Sequence, residues 1–119
     1  MKKTKPGTLA RLQHIRDAIS LALDFTVGFD EDAFFKDLKT QAAVVRQIEI
    51  IGEAVYALPD EFTSQYPHIT WKNIEATRHK IVHDYFEVDI RVVWNVVQGH
   101  LPPFLAEING MIDSMASEA

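Results

Sequence analysis

The chain has 119 residues, of which 47% are hydrophobic and 24% are charged. This length fits one domain, and the composition is that of a chain that buries a hydrophobic core rather than of a disordered segment. The net charge of −5 at pH 7 excludes a protein that holds nucleic acid through an overall basic field, so any contact with RNA or DNA must be local.

The chain opens with a basic segment, residues 1–7, which we expect to be a flexible tail of a single domain that spans residues 1–119. The segment leads through a Pro-Gly pair into an amphipathic stretch, and not into the unbroken apolar core of a signal peptide. No apolar run approaches the ~18 residues that a membrane span needs. We therefore expect a cytoplasmic protein without a membrane partner.

Two helices are predicted in the first third of the chain. Apolar residues recur at intervals of three and four after Thr8, which is placed as the N-cap, and they continue to about Val27. Gly28 ends this helix. Asp30 is followed by two acidic residues, which is the pattern of a new helix start, so a short second helix is expected there.

The central helix is predicted from about Thr40 to Leu58, where Pro59 ends it. Gly52 lies inside this apolar stretch. A glycine within a helix costs roughly 1 kcal/mol relative to alanine. We therefore expect a structural reason for Gly52, namely the close approach of a neighbouring helix.

The second half of the chain begins with a loop over residues 59–67, in which one helical turn is expected at residues 60–64. Thr70 is placed as the cap of a helix that starts at Trp71.

The last part of the chain is predicted to hold two more helices. A break at residues 86–88 is followed by Asp89, which is placed as the N-cap of a helix over residues 90–98. The prolines at positions 102 and 103 are expected to kink or interrupt the chain before a final helix over residues 104–115. Because no strand pattern competes with this periodicity, the predicted fold class is all-α, an antiparallel bundle of four main helices with one or two short ones.

The helix that starts at Trp71 runs into a segment rich in charged and aromatic residues, Arg78-His79-Lys80-Ile81-Val82-His83-Asp84-Tyr85. On a helical wheel of ~100° per residue, Arg78 lies within about 20° of Trp71 and of Tyr85, in the middle of the apolar stripe. Desolvating an unpaired charge costs several kcal/mol, so this arginine needs a partner.

Three partners for Arg78 are consistent with the sequence. The first is a glutamate of the central helix, either Glu49 or Glu53. The second is a charge across a subunit interface, and the third is a phosphate group.

His79 and His83 lie four residues apart and therefore on one face of the helix, which is the spacing of two zinc ligands. Because the chain has no cysteine and no carboxylate placed as a third ligand, the sequence predicts neither a metal nor another cofactor. On an ideal helix His83 points about 140° away from Arg78. Both reach one ligand only if the helix bends or if one of them comes from a second chain.

The pattern Arg78-x-x-x-x-His83-x-Tyr85 resembles the R-x4-H-x-Y signature of HepT-like proteins, the HEPN-fold toxins encoded beside a minimal nucleotidyltransferase (MNT) antitoxin. Further stretches resemble the same family over about residues 34–105, namely Val44 to Ala54 with its Ile-Ile-Gly-Glu-Ala run, Tyr66-Pro67, Trp71, Val88-Asp89 and Trp94.

This resemblance implies an all-α homodimer in which the motifs of two chains face a shared cleft and cleave RNA without a metal. Arg78 and His83 would be catalytic, and His79 and Lys80 would support the cleft. The chemistry agrees, because cleavage by the 2′-hydroxyl needs a base, an acid and a cation for the charge on phosphorus. A histidine can act as base or acid, and an arginine offers a fork of donors to phosphate.

Tyr85 has two interpretations. From geometry alone it is a half-buried aromatic residue that closes the helix with its hydroxyl in water. The resemblance implies instead that the antitoxin attaches AMP to Tyr85, which would bar RNA from Arg78 and His83.

Two alternatives to the nuclease remain at this point. The first is a non-catalytic helical interaction module that binds a small nucleotidyltransferase, with Arg78 as a structural charge. The second is a zinc-dependent hydrolase that uses His79 and His83. In either case the basic residues near the motif are few, since only Lys72, Arg78, Lys80 and Arg91 lie close to it in sequence, so RNA contact is expected to be weak and local.

Overall fold

The computed structural model describes residues 7–83 and 89–118, with only the backbone for residues 81–83 and 118. These residues form seven α-helices, with a π-helical turn over Val96–His100 between the last two, and they contain no strand. The predicted all-α class is confirmed. The helices are α1 (Thr8–Phe25), α2 (Glu31–Lys36), α3 (Leu38–Tyr56), α4 (Asp60–Thr63), α5 (Trp71–His83), α6 (Ile90–Asn95) and α7 (Leu101–Glu118).

The bundle is organised around α3, which packs against α1 on one side and α5 on the other, while α1 also packs against α7. These four helices are the main helices that the sequence predicts. The core consists of buried apolar residues of α1, α3 and α7 with contributions from the shorter elements, and α5 packs against it with half-buried residues. The buried members include Leu12, Ile15, Ile19, Phe34, Val44, Ile48, Ile51, Val55, Phe62, Val93, Val97, Ile108 and Met111. No helix in the described part of the chain is long and apolar enough to cross a bilayer.

The predicted N-cap of the first helix is wrong by one residue. Gly7 holds that position with φ of 93°, a left-handed conformation that favours glycine. Thr8 is instead the first residue of α1 and is only 2% exposed. The predicted tail lies outside the described residues except for Gly7. At the other end, the Thr26 hydroxyl donates to the carbonyl of Ala22 at 3.2 Å, and α1 ends at Phe25, slightly before the predicted boundary.

Two predicted aspartate caps are confirmed. A carboxylate oxygen of Asp30 accepts a hydrogen bond of 2.8 Å from the backbone N–H of Ala33, at the start of α2. A carboxylate oxygen of Asp89 accepts one of 3.0 Å from the N–H of Arg91, at the start of α6. In both cases a side chain satisfies a backbone donor that has no partner within the helix.

The central helix starts two residues earlier than expected, because Asp37 caps it and accepts a hydrogen bond of 3.0 Å from the N–H of Thr40. The next turn of α3 also closes the end of α2. Nε2 of the buried Gln41 donates to the carbonyls of Phe34 at 2.9 Å and Phe35 at 3.1 Å. One polar side chain thus satisfies two terminal carbonyls of α2 and fixes its angle to α3.

The predicted kink or interruption before the last helix corresponds to the π-helical turn, where the regular α-helical bonding is interrupted, but the last helix starts earlier than predicted. The chain passes from α6 through the π-helical turn into α7, where the N–H of Leu101 donates to the carbonyl of Val96. Pro102 and Pro103 lie in the first turn of α7, and α7 begins three residues before Phe104. Because proline has no N–H, these two residues donate no hydrogen bond to the carbonyls of the preceding turn, and the π-helical turn lies just before them.

The helix α5 starts at Trp71, as predicted. Its indole Nε1 donates to the carbonyls of Thr63 and Tyr66, both at 3.2 Å, and its ring meets that of Phe104 edge-on with centroids 6.0 Å apart. The single helical turn predicted before it is α4. These contacts connect the start of α5 to Phe104 on α7, to the end of α4 and to the loop that follows α4. The predicted break at residues 86–88 lies outside the described residues.

Candidate functional site

The side chain of Arg78 on α5 lies over the backbone of Gly52 on α3. A Cβ atom added to Gly52 would lie 2.5 Å from Cγ and 3.2 Å from Cδ of Arg78, and it would also overlap Cβ of Arg78. Gly52 is buried, and α3 and α5 pack against each other at this point. The prediction that a neighbouring helix approaches Gly52 closely is confirmed, and the neighbour is the helix that carries the motif.

The head of Arg78 meets Glu53, the residue after Gly52. Nη2 of Arg78 donates to Oε2 of Glu53 at 3.4 Å. Of the two glutamates predicted as partners, Glu49 lies elsewhere, with its Oε1 3.6 Å from Nη1 of Arg46 on the same helix. The side chains of Arg78 and Glu53 are 32% and 52% exposed, so solvent screens the pair and it contributes at most about 1 kcal/mol to stability.

The hydrogen bonding of Arg78 is incomplete among the residues that the structure describes. Its Nε atom is buried and has no hydrogen-bond partner among them. The helical wheel places Arg78 in the middle of the apolar face, and the structure shows how it is tolerated there. The stem lies on Gly52, and about a third of the side chain, 32%, remains exposed. A planar group with an unsatisfied donor and a long, partly exposed ion pair is suited to rearrange around an anion.

The other residues of the predicted site fall at or beyond the end of α5. His79 and Lys80 lie on α5 and are exposed. His83 is the last residue of α5, and its side chain lies outside the described part of the chain. Tyr85 lies outside it altogether. The structure thus brings Arg78 together with Gly52 and Glu53, while the positions of the His83 and Tyr85 side chains stay predictions.

A metal centre was one alternative for the two histidines of the motif. Among the described side chains, those of residues 7–80 and 89–117, no group of three or more histidine, aspartate or glutamate residues is placed to hold a metal ion. The zinc alternative depends on His83, so it stays open.

The sequence analysis predicts no functional residue on α3 after Glu53. Tyr56 lies there with its side chain 78% exposed, beside a groove of about 560 Å³ between the end of α3 and the start of α5. Its spacing in the sequence could have indicated this position, because Tyr56 lies four residues after Gly52 and residues four apart share a helix face. The side of α3 that meets Arg78 therefore continues to an exposed aromatic ring.

Comparison with known proteins gives a family match over most of the chain. Residues 15–111 match the family model described as "Ribonuclease HepT-like". The protein named "Putative RNase MJ0127" from Methanocaldococcus jannaschii is 39% identical over 114 residues, which are 96% of this chain and 94% of that protein. The protein named "Probable ribonuclease HepT" from Thermococcus cleftensis is 42% identical over 91 residues, 76% of this chain and 83% of that protein.

A longer relative is also found. A protein of Methanocaldococcus jannaschii whose name joins a gamma-glutamylcyclotransferase to an RNase is 39% identical over 104 residues, which cover 87% of this chain but only 47% of that protein. The chain therefore spans about half of this relative and nearly all of the first one. No solved structure gives a significant match.

Proposed function

The chain belongs to the ribonuclease HepT-like family, and we propose that it is an endoribonuclease that cleaves RNA without a metal, with Arg78 and His83 as its catalytic residues. The observation that carries this proposal is the setting of Arg78. A gap in α3 at Gly52 receives its stem. Among the described residues, its guanidinium has a buried Nε without a partner and one long contact to Glu53.

The proposed reaction is attack by the 2′-oxygen of a ribose on the adjacent phosphorus. A base takes the 2′-hydroxyl proton, a bond forms between the 2′-oxygen and phosphorus, and the bond from phosphorus to the 5′-oxygen breaks. An acid protonates the departing 5′-oxygen, so a 2′,3′-cyclic phosphate and a 5′-hydroxyl result. In this scheme Arg78 stabilises the charge that develops on the phosphoryl oxygens, and His83 transfers protons.

We further propose that two copies of the chain form one cleft. The R-x4-H signature of one chain supplies one histidine for proton transfer, His83, whereas the reaction uses both a base and an acid. On an ideal helix His83 also points about 140° away from Arg78. A two-fold axis would supply a second histidine and a second arginine. The test is dilution through the dimer–monomer transition. The cleavage rate per chain is expected to fall with the dimer fraction while helicity stays constant, and a fully active monomer would overturn the shared cleft.

Neutralisation by an MNT-type nucleotidyltransferase antitoxin is the regulatory part of the proposal, with Tyr85 as the residue that receives AMP. In this arrangement His79 and Lys80 support the cleft, and AMP on Tyr85 would place anionic phosphate beside Arg78. Mass spectrometry after co-expression with such a partner tests this directly. An unmodified Tyr85 in a neutralised complex would contradict the mechanism.

The alternative is a non-catalytic interaction module, and the ion pair of Arg78 with Glu53 is the observation that favours it, because a paired arginine can be structural. Cleavage assays on wild type, Arg78→Ala and His83→Ala separate the two functions. Loss of cleavage in both variants supports the nuclease. Equal RNA loss in all three preparations would indicate a contaminating enzyme and would favour the module.

A further inference from the structure

A groove of about 560 Å³ lies between the end of α3, the short helix α4 and the start of α5. Its lining includes two aromatic residues, Tyr56 and Trp71, and one lysine, Lys72. Two carboxylates, from Asp60 and Glu75, lie along it as well. The groove thus combines aromatic rings with one cationic group and has negative charge on the rest of its edge.

Tyr56 is the least covered residue of this groove. At 78% exposure it is the most exposed of the large hydrophobic side chains whose surroundings the structure describes. Trp71, by contrast, is half-buried, and its indole N–H is occupied by backbone carbonyls. The ring of Tyr56 is therefore the surface in this groove that is available for stacking.

The groove adjoins the site at Arg78 on both helices. On α3, Tyr56 lies four residues after Gly52, about 6 Å along the axis and within about 40° of the same face. On α5, Lys72 lies six residues before Arg78, about 9 Å away along the helix axis and about 120° around it. Lys72 is exposed and Arg78 is half-buried. A short single strand of nucleic acid can therefore contact the groove and the Arg78 site together.

We infer that this groove binds one nucleotide of a single-stranded RNA substrate beside the bond that is cleaved, with its base stacked on Tyr56 and a backbone phosphate against Lys72. The inference rests on the proposed nuclease function and deepens it. Stacking on aromatic side chains and contact of phosphates with cations are the general means by which proteins hold single strands. The carboxylates of Asp60 and Glu75 confine the phosphate to the lysine end, so binding is expected to be weak and salt-dependent.

Removing the Tyr56 ring tests the stacking contact. A fluorescent, 2′-O-methylated single-stranded RNA, which cannot be cleaved, is titrated with the full chain, and KM and kcat are measured on the matching unmodified RNA. Tyr56→Ala is expected to weaken binding about tenfold and to raise KM more than it changes kcat. Tyr56→Phe, which keeps the ring, is expected to restore most of the affinity. Lys72→Gln is expected to weaken binding severalfold and to lower its salt dependence.

The matched control is Leu38→Ala. Leu38 lies at the other end of α3 and is 76% exposed, close to the exposure of Tyr56, so its loss is not expected to affect binding. If Tyr56→Ala binds RNA as tightly as wild type, or if Leu38→Ala weakens RNA binding equally, the proposal that the groove binds RNA is wrong. If Tyr56→Ala binds RNA normally while Arg78→Ala no longer cleaves it, the groove proposal is wrong and the nuclease proposal is supported. If Tyr56→Ala weakens RNA binding while Arg78→Ala still cleaves, the proposed nuclease site is wrong and the groove proposal is supported.

Discussion

The missing side chain of Gly52 makes room for the side chain of Arg78. Cγ of Arg78 lies only 2.5 Å from the point that a Cβ of residue 52 would occupy, and the next residue of α3, Glu53, meets the guanidinium at 3.4 Å. Two adjacent residues of α3 thus set the position of one residue on α5: the first provides the space and the second provides the charge.

Alanine at position 52 is expected to destabilise the protein. The added methyl group would overlap Cβ of Arg78, which moves only with the backbone of α5, so α3 and α5 must separate. Overpacking of this kind costs about 1–3 kcal/mol, against about 1 kcal/mol gained in helix propensity. Thermal unfolding followed by circular dichroism should show a lower Tm for Gly52→Ala.

Gly110→Ala is the control for this substitution. Gly110 lies in α7, and a Cβ there would meet nothing within 4 Å, so only the gain in helix propensity, up to about 1 kcal/mol, is expected. Gly110→Ala should therefore raise Tm slightly. Equal shifts of Tm in the two variants would contradict the packing of Arg78 on Gly52.

Removing the charge of Glu53 is expected to strengthen the interaction with RNA. Glu53→Gln keeps the shape of the side chain but removes the carboxylate that neutralises Arg78, while the stability should change by less than about 1 kcal/mol because the pair is partly exposed. The dissociation constant for single-stranded RNA should fall at low ionic strength and approach the wild-type value at high salt.

The control is Glu49→Gln on the same helix. The carboxylate of Glu49 lies beside Arg46, with Oε1 3.6 Å from Nη1. If both variants gain the same affinity, the effect comes from net charge and not from release of Arg78. Weaker RNA binding by Glu53→Gln would show that Glu53 holds Arg78 in its binding position instead of competing for it.

Replacing Gln41 is expected to destabilise the junction of α2 and α3. Gln41→Leu removes the donor that serves the carbonyl of Phe34 in a buried contact and that of Phe35 in a partly buried one. Among the described residues, the Phe34 carbonyl then keeps only the N–H of Asp37, at 3.3 Å. Urea unfolding should show a loss of about 1–3 kcal/mol. The same substitution at the exposed Gln98 is expected to change the stability little. An unchanged Gln41→Leu variant would mean that water reaches these carbonyls.

Much of the fold follows from local signals in the sequence. Apolar residues at helical spacing predict the four main helices, and aspartates at Asp30 and Asp89 mark helix starts that the structure confirms. The predictions were wrong at helix ends, where more than one nearby residue could set the boundary. Thr8 has the chemistry of a cap, but Gly7 adopts the left-handed conformation at that position. Pro102 and Pro103 predict a break, yet the chain stays helical there, with a π-helical turn just before the prolines.

The site could be predicted only in part. The apolar surroundings of Arg78 show that it needs a partner, and Gly52 shows that a helix approaches α3. The choice of Glu53 over Glu49 depends on the register between α3 and α5, which no local pattern encodes. The exposure of Tyr56 likewise depends on which helices cover the end of α3.

The central claim is that Arg78 supports RNA cleavage, and its most direct test is the single-turnover cleavage rate of a labelled RNA by Arg78→Ala and by Arg46→Ala. Arg46 is an exposed arginine on α3 that also lies near a glutamate, so it controls for the loss of one positive charge. With helicity matched, Arg78→Ala should cleave at least about 100-fold more slowly than wild type, while Arg46→Ala should keep a rate close to that of wild type. A wild-type rate in Arg78→Ala would contradict the account.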